Sequence, residues 1–265
     1  MAQGRADTVL DLAHAAMLAA PGDDQARLAF YERLADGELF LLLEREPEGD
    51  AITPQVVTVD GQDHVLAFDR EDRLAEFAGR TAAVAGLAGR ALAAMLAGQG
   101  IGIALNPDVA PSAMLIDAEA VDWLAATLAQ GPVEAQGRPV AVHPPHGLPE
   151  TVVAALDRKL AMAAGLARAA WLVGVEYEGG ARSHMLAFVE ALPGAEAALA
   201  AAVGEALTFS GIEAGVLDVT FLRASDAFAA RLARVGLRFD LPEPEAPVAP
   251  GANPGMDPDR PPRLR

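Results

Sequence analysis

The sequence predicts an α+β fold: two small helix-covered β-sheet domains followed by a disordered, proline-rich C-terminal tail. Three observations point there. Short apolar runs of strand length alternate with alanine-rich stretches of helical period. Two pairs of these runs meet at turn dipeptides, Asp60-Gly61 and Gly179-Gly180. The chain has 265 residues, long for one small domain, and residues 132–148 carry four prolines and little periodicity. The expected units are therefore 1–131, a linker at 132–148, 149–241, and a tail at 242–265.

The first unit begins with two helices. Thr8 to about Ala20 places Leu10, His14, Met17 and Leu18 near one face, and Pro21-Gly22 ends it. Asp23 or Asp24 can cap a second helix carrying Leu28, Tyr31 and Leu34. The period then changes. Glu38–Arg45 (ELFLLLER) suits a buried strand, and QVVTVDGQDHVLAFD gives two strands across Asp60-Gly61. Asp69 can cap a helix over REDRLAEFAG, and a long alanine-rich helix is expected from Ala82 to Ala97.

Gly98, Gly100 and Gly102 in AGQGIGIALNPD invite a phosphate-loop reading. The order is wrong for it. Such loops leave a strand and open a helix, whose first amides face the phosphate. Here the glycines leave a helix and enter the strand IGIAL, so they stop one element and start another. Asn106-Pro107-Asp108 turns the chain into SAMLI, and Asp117 caps AEAVDWLAATLAQ. Trp123 and Trp171, each among Ala and Leu, are expected in the core.

The second unit opens with Pro149 and a helix striped by Val152, Leu156 and Leu160. A hairpin follows across Gly179-Gly180, then a helix aligning Leu199, Val203 and Leu207. The strand GVLDVTFL precedes a helix capped by Ser225, and LRFDL closes the unit. From Pro242 onward eight prolines in 24 residues and few large apolar side chains predict disorder.

Composition narrows the function classes. The formal net charge of −17, without Lys/Arg clusters, argues against nucleic acid and anionic membranes. Thr81–Leu105 is long enough to span a bilayer, but Arg90 sits near its middle and glycines interrupt it. Asp7 and Asp11 interrupt what would be a signal-peptide core, so the N-terminus reads as a helix and the protein as cytoplasmic. The absence of cysteine removes thiolate chemistry and persulfide carriage.

FYERLADGELFLLL, DGQDHVLAFDREDRLAEF, IGIALNPD and AMLIDAEAVDWL together resemble the N-terminal domain of the SseB family. EALTFSGIEAGVLDVTFL is similar to that family's C-terminal domain. The likeness runs over about 7–240. Asp69 in AFDRED departs from it, standing where a serine or threonine followed by aspartate is expected. The resemblance implies a bacterial cytoplasmic protein associated with serine sensitivity and, by gene context, with a mercaptopyruvate sulfurtransferase. It brings no catalytic residues, and without cysteine any link to sulfur transfer runs through a partner.

The remaining constellations have ordinary explanations. His143 and His146 flank two prolines and would lie about 9 Å apart along a polyproline helix, with no third ligand near. Ser112, Ser183, Ser210 and Ser225 lie in no nucleophile elbow. Lys159, the one lysine, is expected to face solvent beside Arg158. Asp60, Asp63, Asp69, Glu71 and Asp72 lack calcium-loop spacing and suit turns and caps. No cofactor and no metal are expected. The leading expectation is a non-enzymatic protein that acts through protein contacts, a sulfurtransferase being one candidate partner. Its surface would be the groove between the domains, with Asp69, Arg73, Asn106 and Asp108. The alternative is a sensor holding an amino acid or other small molecule between the domains.

Overall fold

The computed structural model describes residues 7–47, 49, 51–131, 137–212 and 217–243. The fold is α+β, built on two open mixed sheets. The first unit runs α1 (Val9–Ala19), α2 (Asp24–Asp36), β1 (Glu38–Leu42), β2 (Val56–Val59), β3 (Gln62–Phe68), α3 (Glu71–Ala78), β4 (Val84–Ala88), α4 (Gly89–Leu96), β5 (Ile101–Leu105), β6 (Met114–Ile116) and α5 (Ala118–Leu128). The second runs β7 (Pro139–His143), α6 (Glu150–Met162), β8 (Ala169–Tyr177), β9 (Arg182–Val189), α7 (Glu196–Phe209), β10 (Leu217–Leu222), α8 (Ala227–Val235) and β11 (Leu237–Asp240).

Local signals set several boundaries. Thr8 and Asp11 form a reciprocal capping box at the start of α1, Asp23 caps α2, and Asp117 caps α5. Asp60 and Gly61 both have positive φ, 52° and 81°, as a tight turn between β2 and β3 requires. The last helix departs from expectation: its N-cap is Asp226 rather than Ser225, and no side chain caps it.

The first sheet is ordered β4-β1-β3-β5-β6, with β2 also pairing β3. Only β3 and β5 run parallel in it. Its strands are apolar at nearly every position because both faces are covered. Leu39, Leu41, Val65, Ile103 and Leu105 meet Leu10, Phe30, Leu34, Leu92 and Leu124 of the helices on one side. Leu42, Leu66, Phe68 and Ala104 meet Leu74 of α3 on the other. Gly102 serves close approach: a Cβ there would sit 2.3 Å from the Ile116 carbonyl oxygen.

The stretch predicted as one helix, Ala82–Ala97, is instead a strand and a shorter helix. Val84–Ala88 pairs along its whole length with β1, from Leu42↔Val84 to Glu38↔Ala88. Alanine's helical preference is worth less than about 1 kcal/mol per residue. A full ladder of strand partners outweighs it.

The second sheet is ordered β10-β9-β8-β11, with β7 pairing β8 and β9 parallel to β10. Residues 139–143, expected within the linker, therefore belong to this sheet. Helices α6 and α7 cover one face through Val152, Leu156, Leu199 and Val203. Leu232 and Phe228 of α8 cover the other. Residues 132–136 of the expected linker and 244–265 of the expected tail lie outside the described residues.

Helices α2, α4 and α5 of the first unit meet α6 and α7 of the second along a seam. Phe209 of α7 is 3% exposed and packs in the core of the first unit. Trp123, expected in the core, is 40% exposed at this seam, edge-on to Tyr31 at 5.3 Å and Phe209 at 6.3 Å. Its place on the outer side of α5 keeps it out of either core.

Candidate functional site

Three of the four predicted surface residues belong to one buried cluster inside the first unit. The capping box turns the Asp11 carboxylate inward at the first turn of α1. Ser112, from the loop between β5 and β6, donates to Asp11 Oδ1 at 2.5 Å. Arg73, in the first turn of α3, donates to Asp11 Oδ1 at 3.0 Å and also to its Oδ2. The same guanidinium donates to Asp69 Oδ1 at 2.8 Å, and the Thr8 hydroxyl donates to Asp69 Oδ2 at 2.6 Å. Asn106 closes the ring: its amide nitrogen donates to Ser112 Oγ at 2.9 Å, and its carbonyl accepts the Asp69 backbone N–H at 3.1 Å.

These bonds tie together the start of α1, the end of β3, α3 and the turn after β5. Arg73 is 2% exposed and Asn106 fully buried, so neither is available on the surface. Asp69 is predicted as the cap of α3, yet Arg70 occupies the N-cap and no side chain bonds there. The Asp69 carboxylate is engaged by Arg73 and Thr8 instead. Asp108 is exposed in a left-handed turn, φ 60°, and takes no part in the cluster. None of the four joins the seam between the units.

The electrostatics favour charged groups despite burial. Burial alone would push the Asp11 carboxyl up. Hydrogen bonds from Arg73, Ser112 and the Thr8 amide, with the charge of Arg73, hold it well below the usual carboxylate range. Burial likewise works against the Arg73 cation, and its bond to Asp11 and the charges of Asp69 and Asp11 outweigh that.

The seam holds a second cluster. Lys159 of α6 donates to Asp36 Oδ2 at 2.7 Å and Oδ1 at 2.9 Å, and to Glu205 Oε2 at 2.8 Å. Arg90 of α4 donates to both oxygens of Glu205, at 3.0 and 3.1 Å, and to Asp36 at 2.6 Å. Arg158 reaches Glu32 at 3.3 Å. Lys159 was expected to face solvent but is 3% exposed, because carboxylates from α2 and α7 converge on it. A compact ammonium with three donors suits that convergence.

Two clefts open on the first unit. One, about 360 Å³, is lined by Leu42, Arg45, Gln55, Phe77, Arg80 and Thr81 among others. The other is a broad depression of about 590 Å³ formed by Phe40, Ala75 and the run Asp69–Asp72. Among the described residues no three of His, Asp and Glu are placed to hold a metal ion. No helix among them is long and apolar enough to cross a membrane.

Sequence reasoning missed Asp11 as a partner of Arg73, Thr8 and Ser112 as members of the same cluster, and the carboxylates around Lys159. The one signal for the latter is that the chain keeps a single lysine among its 20 basic residues. Residues 12–123 match the family model described as the SseB protein N-terminal domain. No curated protein and no solved structure matches the chain. The match spans Asp69, Arg73, Asn106 and Ser112 of the first cluster, and Glu32, Asp36 and Arg90 of the second.

Proposed function

On the premise that residues 12–123 form an SseB N-terminal domain, we propose that the chain is a non-catalytic, cytoplasmic module that works by binding another protein, as an adapter or regulator. The observation carrying this reading is the mutual pairing of six buried ionisable side chains. Asp11, Asp69 and Arg73 are locked in mutual ion pairs, and so are Asp36, Glu205 and Lys159. A general base or nucleophile needs a free lone pair facing a cleft. These groups face one another.

The contact face of this reading is the depression of Phe40 and Ala75, rimmed by Asp69–Asp72. The buried Arg73 cluster sets the rim, since it fixes the turn entering α3. A sulfurtransferase is the partner class in keeping with the family resemblance. Affinity capture from the native host tests the idea, comparing the wild type with the exposed-site double variant Glu71→Lys, Ala75→Arg. A stoichiometric partner that the double variant loses is expected. Equal recovery by both proteins, or no partner at all, overturns it.

A second reading, a small-molecule sensor, draws on the 360 Å³ cleft with Arg45 and Arg80 at its lining. That cleft lies within the first unit, not between the two. Thermal shift against an amino-acid panel checks it: a ligand at 100 times its Kd adds about 2.7 kcal/mol of stability. A panel without response removes it.

A further inference from the structure

Across the seam three carboxylates face three cations. From the first unit come Glu32 and Asp36 of α2 and Arg90 of α4; from the second, Arg158 and Lys159 of α6 and Glu205 of α7. Glu32, Asp36, Lys159 and Glu205 are each no more than 9% exposed, whereas Arg90 and Arg158 reach solvent at 43% and 38%. The apolar share of the seam is narrow. Among the described residues, Phe209 is the one residue of the second unit in the first unit's core, and the second unit's core contains no residue of the first. Each sheet thus has its own apolar interior, and the contact between them combines these charges with the Trp123–Phe209 edge contact and hydrogen bonds from Gln25 to Thr151 and Ser210.

We propose that this seam is an acid-released clasp: loss of its carboxylate charge in acid parts the two sheet units while each stays folded. At neutral pH the six charges balance. Once all three seam carboxylates are neutral, including Glu32 at 3.9 Å from the lysine Nζ, Lys159 is a buried ammonium without a counter-charge on the side of Arg90 and Arg158. A buried cation in that position must recover water. Separation along the seam provides it at the cost of Phe209's burial, its contact with Trp123 and the Gln25 hydrogen bonds, and unfolding either sheet is not required. Burial raises the Glu205 carboxyl, but hydrogen bonds from Arg90 and Lys159 pull it below its usual range, so release requires strongly acidic pH.

Three measurements on the full chain between pH 7 and pH 2.5 test the clasp: radius of gyration by small-angle scattering, fluorescence of Trp123 in a Trp171→Phe background, and far-ultraviolet circular dichroism. Expansion and a Trp123 change are expected at a higher pH than the loss of ellipticity. Lys159→Met is expected to move that expansion upward by a pH unit or more, because its carboxylates lose a cation. Arg90→Gln, at a partly exposed position, gives the same direction if the lysine variant fails to fold. Expansion that coincides with loss of ellipticity overturns the clasp. So does an expansion midpoint that neither substitution moves.

Discussion

Replacing Arg73 with methionine is the most direct test of what the buried cluster contributes. Methionine keeps much of the side-chain length and removes the charge and the donors. Asp11 and Asp69 would then be left with side-chain exposures of 2% and 7% and no cation. Removing one partner of a buried ion pair typically costs about 3–5 kcal/mol, because the remaining charge stays desolvated. Native proteins hold only about 5–15 kcal/mol in total. With a urea slope of about 1–3 kcal/mol/M, the midpoint should fall by roughly 1–5 M at unchanged slope. Equilibrium urea denaturation at pH 7, followed by circular dichroism, measures this. Adding Asp11→Asn should restore part of the loss, since it removes one stranded charge. The acid limb gives an independent reading. Asp11 titrates lower when folded than its ordinary 3.8, so the unfolded chain takes up the proton first and wild-type stability falls as pH drops below about 4. That dependence should shrink in Arg73→Met. A loss under about 1 kcal/mol, with an unaltered acid limb, would refute the assignment of Arg73 as the cluster's organising cation.

Gly102→Ala places a methyl 2.3 Å from a backbone oxygen and should destabilise the first unit by about 1–3 kcal/mol in the same urea assay. The chain's two tyrosines, Tyr31 and Tyr177, are both shifted upward, chiefly by burial, with Asp218 accepting from the Tyr177 hydroxyl at 2.6 Å. Absorbance at 295 nm should therefore show no full tyrosinate signal at the usual value of about 10. Since the folded groups hold their protons longer, the associated stability is present below that pH and is lost above it. Lys159 should resist amine-reactive esters at pH 7.5 in the folded chain and become acylated in urea, as peptide mass spectrometry can read; rapid labelling of the folded protein would contradict its burial at the seam.

Much of the architecture was legible because it is written locally. Asp23 and Asp117 cap the helices that follow them, and Asp60-Gly61 turns where two alternating runs meet. Each needs only neighbours within a few residues. Val84–Ala88 was not legible in that way. Its strand geometry comes from pairing with Glu38–Leu42, and alanine-rich composition speaks for the other choice. The site shows the same divide. Asp69 has the local credentials of a cap, but Arg73 reaches it only in company with Asp11, 62 residues from Arg73. Lys159 sits on a helix face that looks solvent-directed until Asp36, 123 residues away, and Glu205 are brought to it. Long-range carboxylates leave no periodic trace, so composition alone could mark the lysine only by its being single.

The lodging of Phe209 within the neighbouring unit bears on how this protein should be cut. A fragment ending soon after residue 123 keeps Glu32, Asp36 and Arg90 but discards Lys159, Glu205 and the phenylalanine. Its newly bared flank would carry an empty aromatic socket ringed by surplus negative charge. Ligands fished with such a piece would report on a wound that the intact chain never shows.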